Sequence, residues 1–507
     1  MKCLFNNKNL IAFLLAVWVF VIQMFCNIDS YLFGQCGQYD SAAFFMCGKA
    51  WMNGMTPYTE FADSKGPLLW FIYGLGYLMD NYSYVGVFWI TCLFMWITLC
   101  ISYKTAHIIL DRVDSLLAAI AMAVPLFYWN FYTETKAEHF CWPFIMHAIY
   151  VLLKRIRGIH VQRVDYFVAG MGFVACLLLK WSVAAMFVSF IVSIGILSWQ
   201  ENTFRKFSLW TAIGAVSLFL PFATYFTVVG NWTDFIQEYF VNTFTSVSAP
   251  LQETVSSYTN EWLQMFTTKR FIYVVYVASA LLVFRRKQWL ITLLPFLCGC
   301  FFIALSIRHD NFGHYISVAS PFAIFAIVAF LVHIRRINSY RIYTMAGIIV
   351  AMCYVVWGTI KYGNSFCTKA DRIDDYMAVS YALSVQNSAI PHPSVIIIGQ
   401  ERGLALATSL PGTRYWITQM GRSDQMLKEQ ENAIWAGNAD VVVTFTEDVD
   451  LQYKDRIIAS GYHFLTDKYG GIVYTKHEIT MPSKTVHLTP CDIIAKRTYR
   501  NLYEGNE

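Results

Sequence analysis

Charge is what this 507-residue chain has least of: only 14% of its residues are Asp, Glu, Lys or Arg, while 57% are hydrophobic. Soluble domains carry roughly 25% charged residues, so much of the chain sits in lipid. The net charge of +5 is small, and no basic run is long enough for nucleic-acid binding. The thirteen cysteines form no CxxC pair and no Cys/His metal spacing, which excludes zinc-finger and thioredoxin-like chemistry. Most lie in apolar segments as small hydrophobes. Cys36 with Cys47, and Cys367 with Cys491, remain candidate disulfides if their loops face an oxidising space. No small-x-small cleavage site follows the first apolar segment, so it reads as a membrane helix, not a signal peptide. A phosphate loop is missing too: Gly399 and Gly403 lack the spacing and helix start that it needs.

What is present is a series of apolar runs, near 10–26, 84–102, 115–129, 138–153, 164–179, 181–199, 207–228, 271–284, 288–307, 315–333 and 342–360. A span needs about 20 residues, so the shorter runs borrow aromatic or polar flanks. Eleven transmembrane helices are expected. Basic loops at 154–163, Arg205-Lys206, Arg285-Arg286-Lys287 and 333–341 recur after every second span and set the cytoplasmic side. Counting from them places 27–83, 130–137, the turn at Lys180, 229–270, 308–314 and the tail after 360 outside. That count holds only if the run from Pro67 to Met79, about 13 residues, does not cross. It is predicted to lie along or dip into the outer leaflet.

Residues 361–507 change character. SVIIIGQ (394–400), DVVVTF (440–445) and Gly471 to Thr475 read as strands. Asp371 to Ser388 and Gln425 to Trp435 read as helices, giving a small α/β domain. The expected architecture is therefore mostly α: a transmembrane domain over 1–360 with a large first outer loop bearing juxtamembrane helices, then a soluble, periplasmic α/β domain over 361–507.

The orientation gathers charges at span ends on one side: Asp40, Asp63, Lys65, Glu134, Lys136, Glu138, Lys180, Arg308, His309, Asp310 and His314. Charges so close to apolar segments are costly and usually functional. Group transfer from a lipid phosphate outside the cell needs a carboxylate base, cations for the departing phosphate and a groove for the lipid chain. Asp40, followed by the apolar run Ala42 to Met46, is the best base; the other reading is an N-cap, with Asp40 or Ser41 starting a surface helix. Lys65, just ahead of Gly66-Pro67, is the best phosphate cation, with an interfacial snorkelling lysine as the other reading. Asp63 orients Lys65, coordinates a metal or is a plain loop acid. Glu134 and Glu138 share a helix face at i, i+4 and could bind acceptor or assist Asp40; helix N-terminal acids are the alternative. Lys180 splits LLLKWSV, reaching a phosphate or marking a helical hairpin. Arg308 offers bidentate phosphate contacts, near His314 and Tyr315. The aromatic loop 229–270 flanks the carrier or forms an interfacial belt.

Taken together, Asp40, Gly48-Lys49, Gly54, Pro57-Tyr58, Asp63 and Lys65-Gly66-Pro67 closely resemble the first outer loop of bacterial membrane glycosyltransferases with the GT-C fold. These include relatives of the protein O-mannosyltransferases and of the lipid A aminoarabinose transferase. Thr133-Glu134, Lys180, His314-Tyr315 and Pro321 resemble later landmarks of that family, in the same order. The resemblance covers about residues 10–360. It implies an inverting glycosyltransferase that moves a hexose or pentose from a polyprenyl-phosphate donor to a lipid, glycan or protein acceptor. The site would lie on the periplasmic face of a bacterial inner membrane. It assigns Asp40 as the catalytic aspartate and Lys65 as the carrier-phosphate lysine. Two departures stand out. Ser64 intervenes where an acid directly precedes the lysine in the aminoarabinose branch, and Ser41 follows Asp40 where many relatives have a second acid. No cofactor and no paired-carboxylate metal site are therefore expected. Competing classes are a transporter or flippase of lipid-linked sugars and a ligase moving whole glycans from a diphosphate carrier. Internal repeats and broken spans, the usual marks of transporters, are not apparent in the sequence.

Overall fold

In the computed structural model, the described residues are 7–32, 39–81, 83–128, 135–243, 275–276, 279–280, 313–367, 387, 389–398, 409–417, 424–444, 447–466 and 472–479. Contacts divide the chain into two compact units. One comprises Met1–Cys26, Thr91–Tyr225 and Ala249–Thr359; the other comprises Asn27–Ile90, Phe226–Ser248 and Ile360–Glu507.

Among the described residues six helical stretches are long and apolar enough to cross a membrane: Lys8–Cys26, Val85–Ala106, Trp181–Gln200, Phe204–Val229, Ser317–Ile334 and Tyr340–Lys361. Each overlaps one of the eleven expected spans. The expected span 138–153 is the 20-residue helix Ala137–Ile156, which carries Glu138 in its first turn and Lys154 and Arg155 in its last. The expected span 164–179 is the 17-residue helix Arg163–Leu179. The run 115–129 is instead two short helices, Arg112–Ala121 and Ala123–Tyr128. Pro125 explains the break, because it has no N–H to donate to the carbonyl of Ala121. The expected spans near 271–284 and 288–307 and the expected helix 371–388 lie outside the described residues, apart from 275–276, 279–280 and 387.

The helical unit is built by close backbone approach. Helices α8 (Arg163–Leu179) and α10 (Phe204–Val229) meet at two glycines. A Cβ on Gly170 would stand 1.9 Å from the Thr211 carbonyl oxygen, and one on Gly214 the same distance from that of Phe167. Small residues at such crossings let dispersion act where burial from water supplies nothing. Tryptophans tie other helices by donating to carbonyls, Trp18 to Ile120 and Trp142 to Ser317. The basic loops are closed by ion pairs: Lys154 with Asp165, Arg155 with Glu201, and Arg341 with both Asp111 and Asp114.

In the other unit, helix α2 (Tyr39–Met52) packs on helix α3 (Pro67–Met79). The contact depends on Gly48, where a Cβ would meet the backbone nitrogen of Gly74 at 2.5 Å. The 13 residues of α3 match the expected non-crossing segment in length, and Gly66-Pro67 starts it, with proline pre-set for the first helical position. The tail forms a five-stranded sheet of order β2-β1-β3-β5-β4. Its strands are β1 (Ser394–Ile398), β2 (Leu410–Pro411), β3 (Val441–Thr444), β4 (His463–Thr466) and β5 (Ile472–Thr475). β1 runs parallel to β2 and β3, and β5 runs antiparallel to β3 and β4. The three expected strands are β1, β3 and β5, and the expected helix 425–435 is Asp424–Trp435. Ile396, Ile434, Val442, Ile457, Tyr462 and Tyr474 form the core between sheet and helices.

Candidate active site

The segment from Asp40 to Pro67 folds Lys65 back onto helix α2. Asp40 stands half-buried in the first turn of α2. Phe44 follows one turn later on the same face, where side chains at i and i+4 are neighbours. The Lys65 ammonium lies over the Phe44 ring, 5.5 Å from its centroid, within cation–π range. Lys65 Nζ also donates to Ser64 Oγ at 2.9 Å, and the Ser64 amide donates to Asp63 Oδ1. Asp63 thus shapes the turn that carries the lysine. The turn leads into the N-terminus of α3, whose free N–H groups and positive dipole end favour an anion.

A residue outside the expected set holds this turn from beneath. Tyr58 is fully buried and sits at φ 66°, the left-handed region that a bulky residue adopts only under constraint. Its hydroxyl donates to the Lys65 carbonyl at 3.1 Å. Around its ring stand Trp70, Phe235, Phe226 and Tyr239 at centroid distances of 4.6, 5.3, 6.1 and 6.3 Å. Burial, with Tyr239, Asp63, Cys47 and Glu238 nearby, drives its hydroxyl well above the usual phenol range, so it stays a donor. Phe235 and Tyr239 of the aromatic loop are therefore packing partners of Tyr58; the loop's Tyr258 and Trp262 lie outside the described residues.

Two further buried groups line α2. Burial lowers the Lys49 ammonium to about 7, and burial, with Asp63 beside it, raises the Cys47 thiol. Cys47 is a free thiol, so the candidate bridge to Cys36 is not formed. Cys367 lies at the end of helix α13 (Tyr340–Cys367) and Cys491 outside the described residues.

The helical unit holds a second set. Lys180 is the single extended residue between α8 and α9 (Trp181–Gln200), so it does mark a helical hairpin. Its Nζ donates to Glu138 Oε1 at 2.6 Å, with side-chain exposures of 12% and 3%. The expected acid and the expected cation thus neutralise each other. His314 and Tyr315 lie on the 3-10 helix Gly313–Phe322. Glu134 and Arg308 are outside the described residues. Among the described residues no three His, Cys, Asp or Glu side chains cluster as metal ligands would.

Residues 64–225 match the sequence model of a family described as dolichyl-phosphate-mannose-protein mannosyltransferase. That match takes in Lys65, Glu138 and Lys180 and leaves Asp40 outside. Among solved structures, ArnT from Cupriavidus metallidurans bound to undecaprenyl phosphate is similar, at 11% identity and TM-score 0.58, over 92% of this chain and 97% of ArnT. The apo state of the same protein gives TM-score 0.56 at 10% identity, with the same coverage. The chain shares the GT-C fold of these structures. No curated protein matches it. With six helices among the described residues long and apolar enough to cross a membrane, it is a multi-pass membrane protein.

Tyr58, Lys49 and Cys47 were not singled out from sequence as site residues. Lys49 did carry a signal, as a lone cation inside FFMCGKAW. Tyr58 carried none beyond its place in the Pro57-Tyr58 motif, because its ring partners at 226–239 are remote in the chain.

Proposed function

We propose that this GT-C relative is an inverting glycosyltransferase, moving a sugar from a polyprenyl-phosphate donor to a lipid, glycan or protein acceptor. Asp40 acts as general base. It removes the proton from the acceptor oxygen or nitrogen as that atom attacks the anomeric carbon. The bond from that carbon to the phosphate oxygen breaks, and polyprenyl phosphate leaves with the electron pair. Lys65 receives the growing phosphate charge, helped by the N-terminus of α3. Arg308 is assigned the second phosphate contact, and His314, Tyr315 and Glu134 the rest of the pocket, from their places in the sequence. Glu138 and Lys180 enter as an ion pair within the helical unit. The eleven-span topology, with basic loops inside, puts this site and the α/β tail on the periplasmic face of a bacterial inner membrane. Donor chemistry supplies the energy, so the reaction needs no cofactor.

The observation that supports this reading is the Lys65 ammonium resting on Phe44, one helical turn from Asp40. On this reading the Phe44 ring brings the proposed phosphate cation to the helix that carries the proposed base. The test is Asp40→Asn in purified protein supplied with a panel of polyprenyl-phosphate sugars. Turnover should fall at least a hundredfold, the usual share of a general base, while undecaprenyl phosphate still binds. A variant that transfers sugar at the wild-type rate removes Asp40 from the mechanism. A wild-type protein that carries the lipid across vesicles without cleaving it makes the protein a flippase.

A further inference from the structure

Within the unit that carries Lys65, the tail meets the Lys65 turn through one short segment. After β2 the chain runs through Arg414, Tyr415 and Trp416. The Arg414 carbonyl accepts the backbone N–H of Ala62 at 2.9 Å, immediately before the Asp63-Ser64-Lys65 turn. Ala62 and Tyr415 are packed in one buried cluster. The Tyr415 hydroxyl donates to Glu238 Oε1 at 2.7 Å, and Arg414 Nη1 approaches the same oxygen at 3.3 Å. Trp416 lies against the Cys47 thiol on α2.

Glu238 is the link to Lys65. It is buried, 6% exposed, on the π-helix Ile236–Asn242. A π-turn is a costly local geometry that often marks functional sites. Tyr239 of that π-helix and Phe235 just before it carry the rings packed on Tyr58, whose hydroxyl holds the Lys65 carbonyl. Two routes therefore converge on residues 62–65. One is the backbone bond from Arg414; the other runs Tyr415, Glu238, Tyr239, Tyr58. A buried carboxylate with a phenol and a guanidinium on one oxygen is strongly held, and removing the phenol leaves part of its desolvation unmet.

We propose that Tyr415 and Glu238 are positioning residues for the Lys65 turn, so that the tail sets the affinity of the carrier-phosphate site and is not a passive appendage. This rests on the assignment of Lys65 as the phosphate ligand. The clamp's two routes end at Ala62 and the Lys65 carbonyl, so its loss acts on donor binding more than on the chemical step.

The experiment uses full-length protein in nanodiscs and undecaprenyl phosphate as the probe, at one fixed salt concentration, with hydrogen exchange followed over peptides spanning 59–66. Variants are Tyr415→Phe, Glu238→Gln, Glu238→Ala and Lys65→Ala, with Tyr453→Phe as a control elsewhere in the tail, where its hydroxyl donates to Glu431. Tyr415→Phe and Glu238→Ala should weaken carrier binding about tenfold, the factor set by one charge-assisted hydrogen bond of ~1.4 kcal/mol, and speed exchange at 59–66. Glu238→Gln, which keeps an acceptor for Tyr415, should recover most of both. Once a donor sugar is found, KM should rise with kcat within a factor of about two. Tyr453→Phe should change neither readout. If Lys65→Ala loses carrier binding while Tyr415→Phe and Glu238→Ala bind and exchange like wild type, the clamp is wrong and the phosphate assignment stands. If Lys65→Ala binds like wild type, the phosphate assignment itself fails. If Tyr453→Phe weakens binding as much as Tyr415→Phe, the effect is general destabilisation and the clamp is refuted.

Discussion

The Glu138–Lys180 pair offers a test that separates architecture from ligand binding. At 2.6 Å and an effective dielectric constant of about 20, its gross attraction is about 6 kcal/mol. Desolvating two buried ions costs several kcal/mol each, so the pair as a whole is near neutral for stability. Removing one partner is different, because it strands a charge in a site where Glu138 is only 3% exposed. Lys180→Met alone and Glu138→Leu alone should each destabilise by about 3–5 kcal/mol. The double variant should return to within about 2 kcal/mol of wild type, since two apolar chains fill the same space. Reversible unfolding in mixed micelles, read by tryptophan fluorescence, gives the four free energies of the cycle. If the double variant loses the sum of the two single losses, the charges do not interact and the reasoning fails. The same proteins settle the role of Lys180. Were it a carrier-phosphate ligand, undecaprenyl-phosphate binding would fall in the single lysine variant and stay low in the double.

Three other outcomes are expected. Lys49 ionises near 7 in the folded chain, against 10.5 for an ordinary lysine. Between those values the unfolded chain therefore binds more protons, and stability should rise with pH from about 7 to 10; thermal scans of wild type against Lys49→Met should show that slope vanish in the variant, and equal slopes would refute it. Gly170→Leu inserts atoms where even a Cβ would meet the Thr211 carbonyl at 1.9 Å; it should lower the unfolding midpoint by several degrees, as overpacking of ~1–3 kcal/mol or more does, and an unchanged midpoint would mean that α8 and α10 are not in contact. Cys47, fully buried with its thiol raised by burial, should resist maleimide in the native protein and react on unfolding; rapid native labelling, scored by mass spectrometry against a Cys47→Ala protein, would contradict that packing.

Much of this protein is written locally. The deficit of charge and the length of the apolar runs settle the membrane class, because apolar runs of that length cross lipid as helices with their backbone bonds satisfied internally. Pro125 was equally visible, and the break that it makes in the run 115–129 follows from the hydrogen bond that proline cannot make. The block from Asp40 to Pro67 was legible because its parts lie within about one loop of each other, and Gly66-Pro67 starts a helix by its own backbone preferences. The strands β1, β3 and β5 were legible as short β-branched runs; β2 is too brief and β4 too polar to stand out.

The remainder was decided by packing across long stretches of chain. Glu138 and Lys180 are 42 residues apart and each reads alone as an active-site charge; only the meeting of the α7 helix (Ala137–Ile156) with the α8–α9 hairpin makes them one neutral unit. Tyr58 gains its role from rings at 226–239, and Glu238 from Tyr415, 177 residues further along. A buried polar group takes whichever partner the folded core delivers to it. Local sequence sets how a residue prefers to bend the backbone and whether it avoids water. Which buried oxygen meets which buried hydrogen is a property of the assembled chain alone.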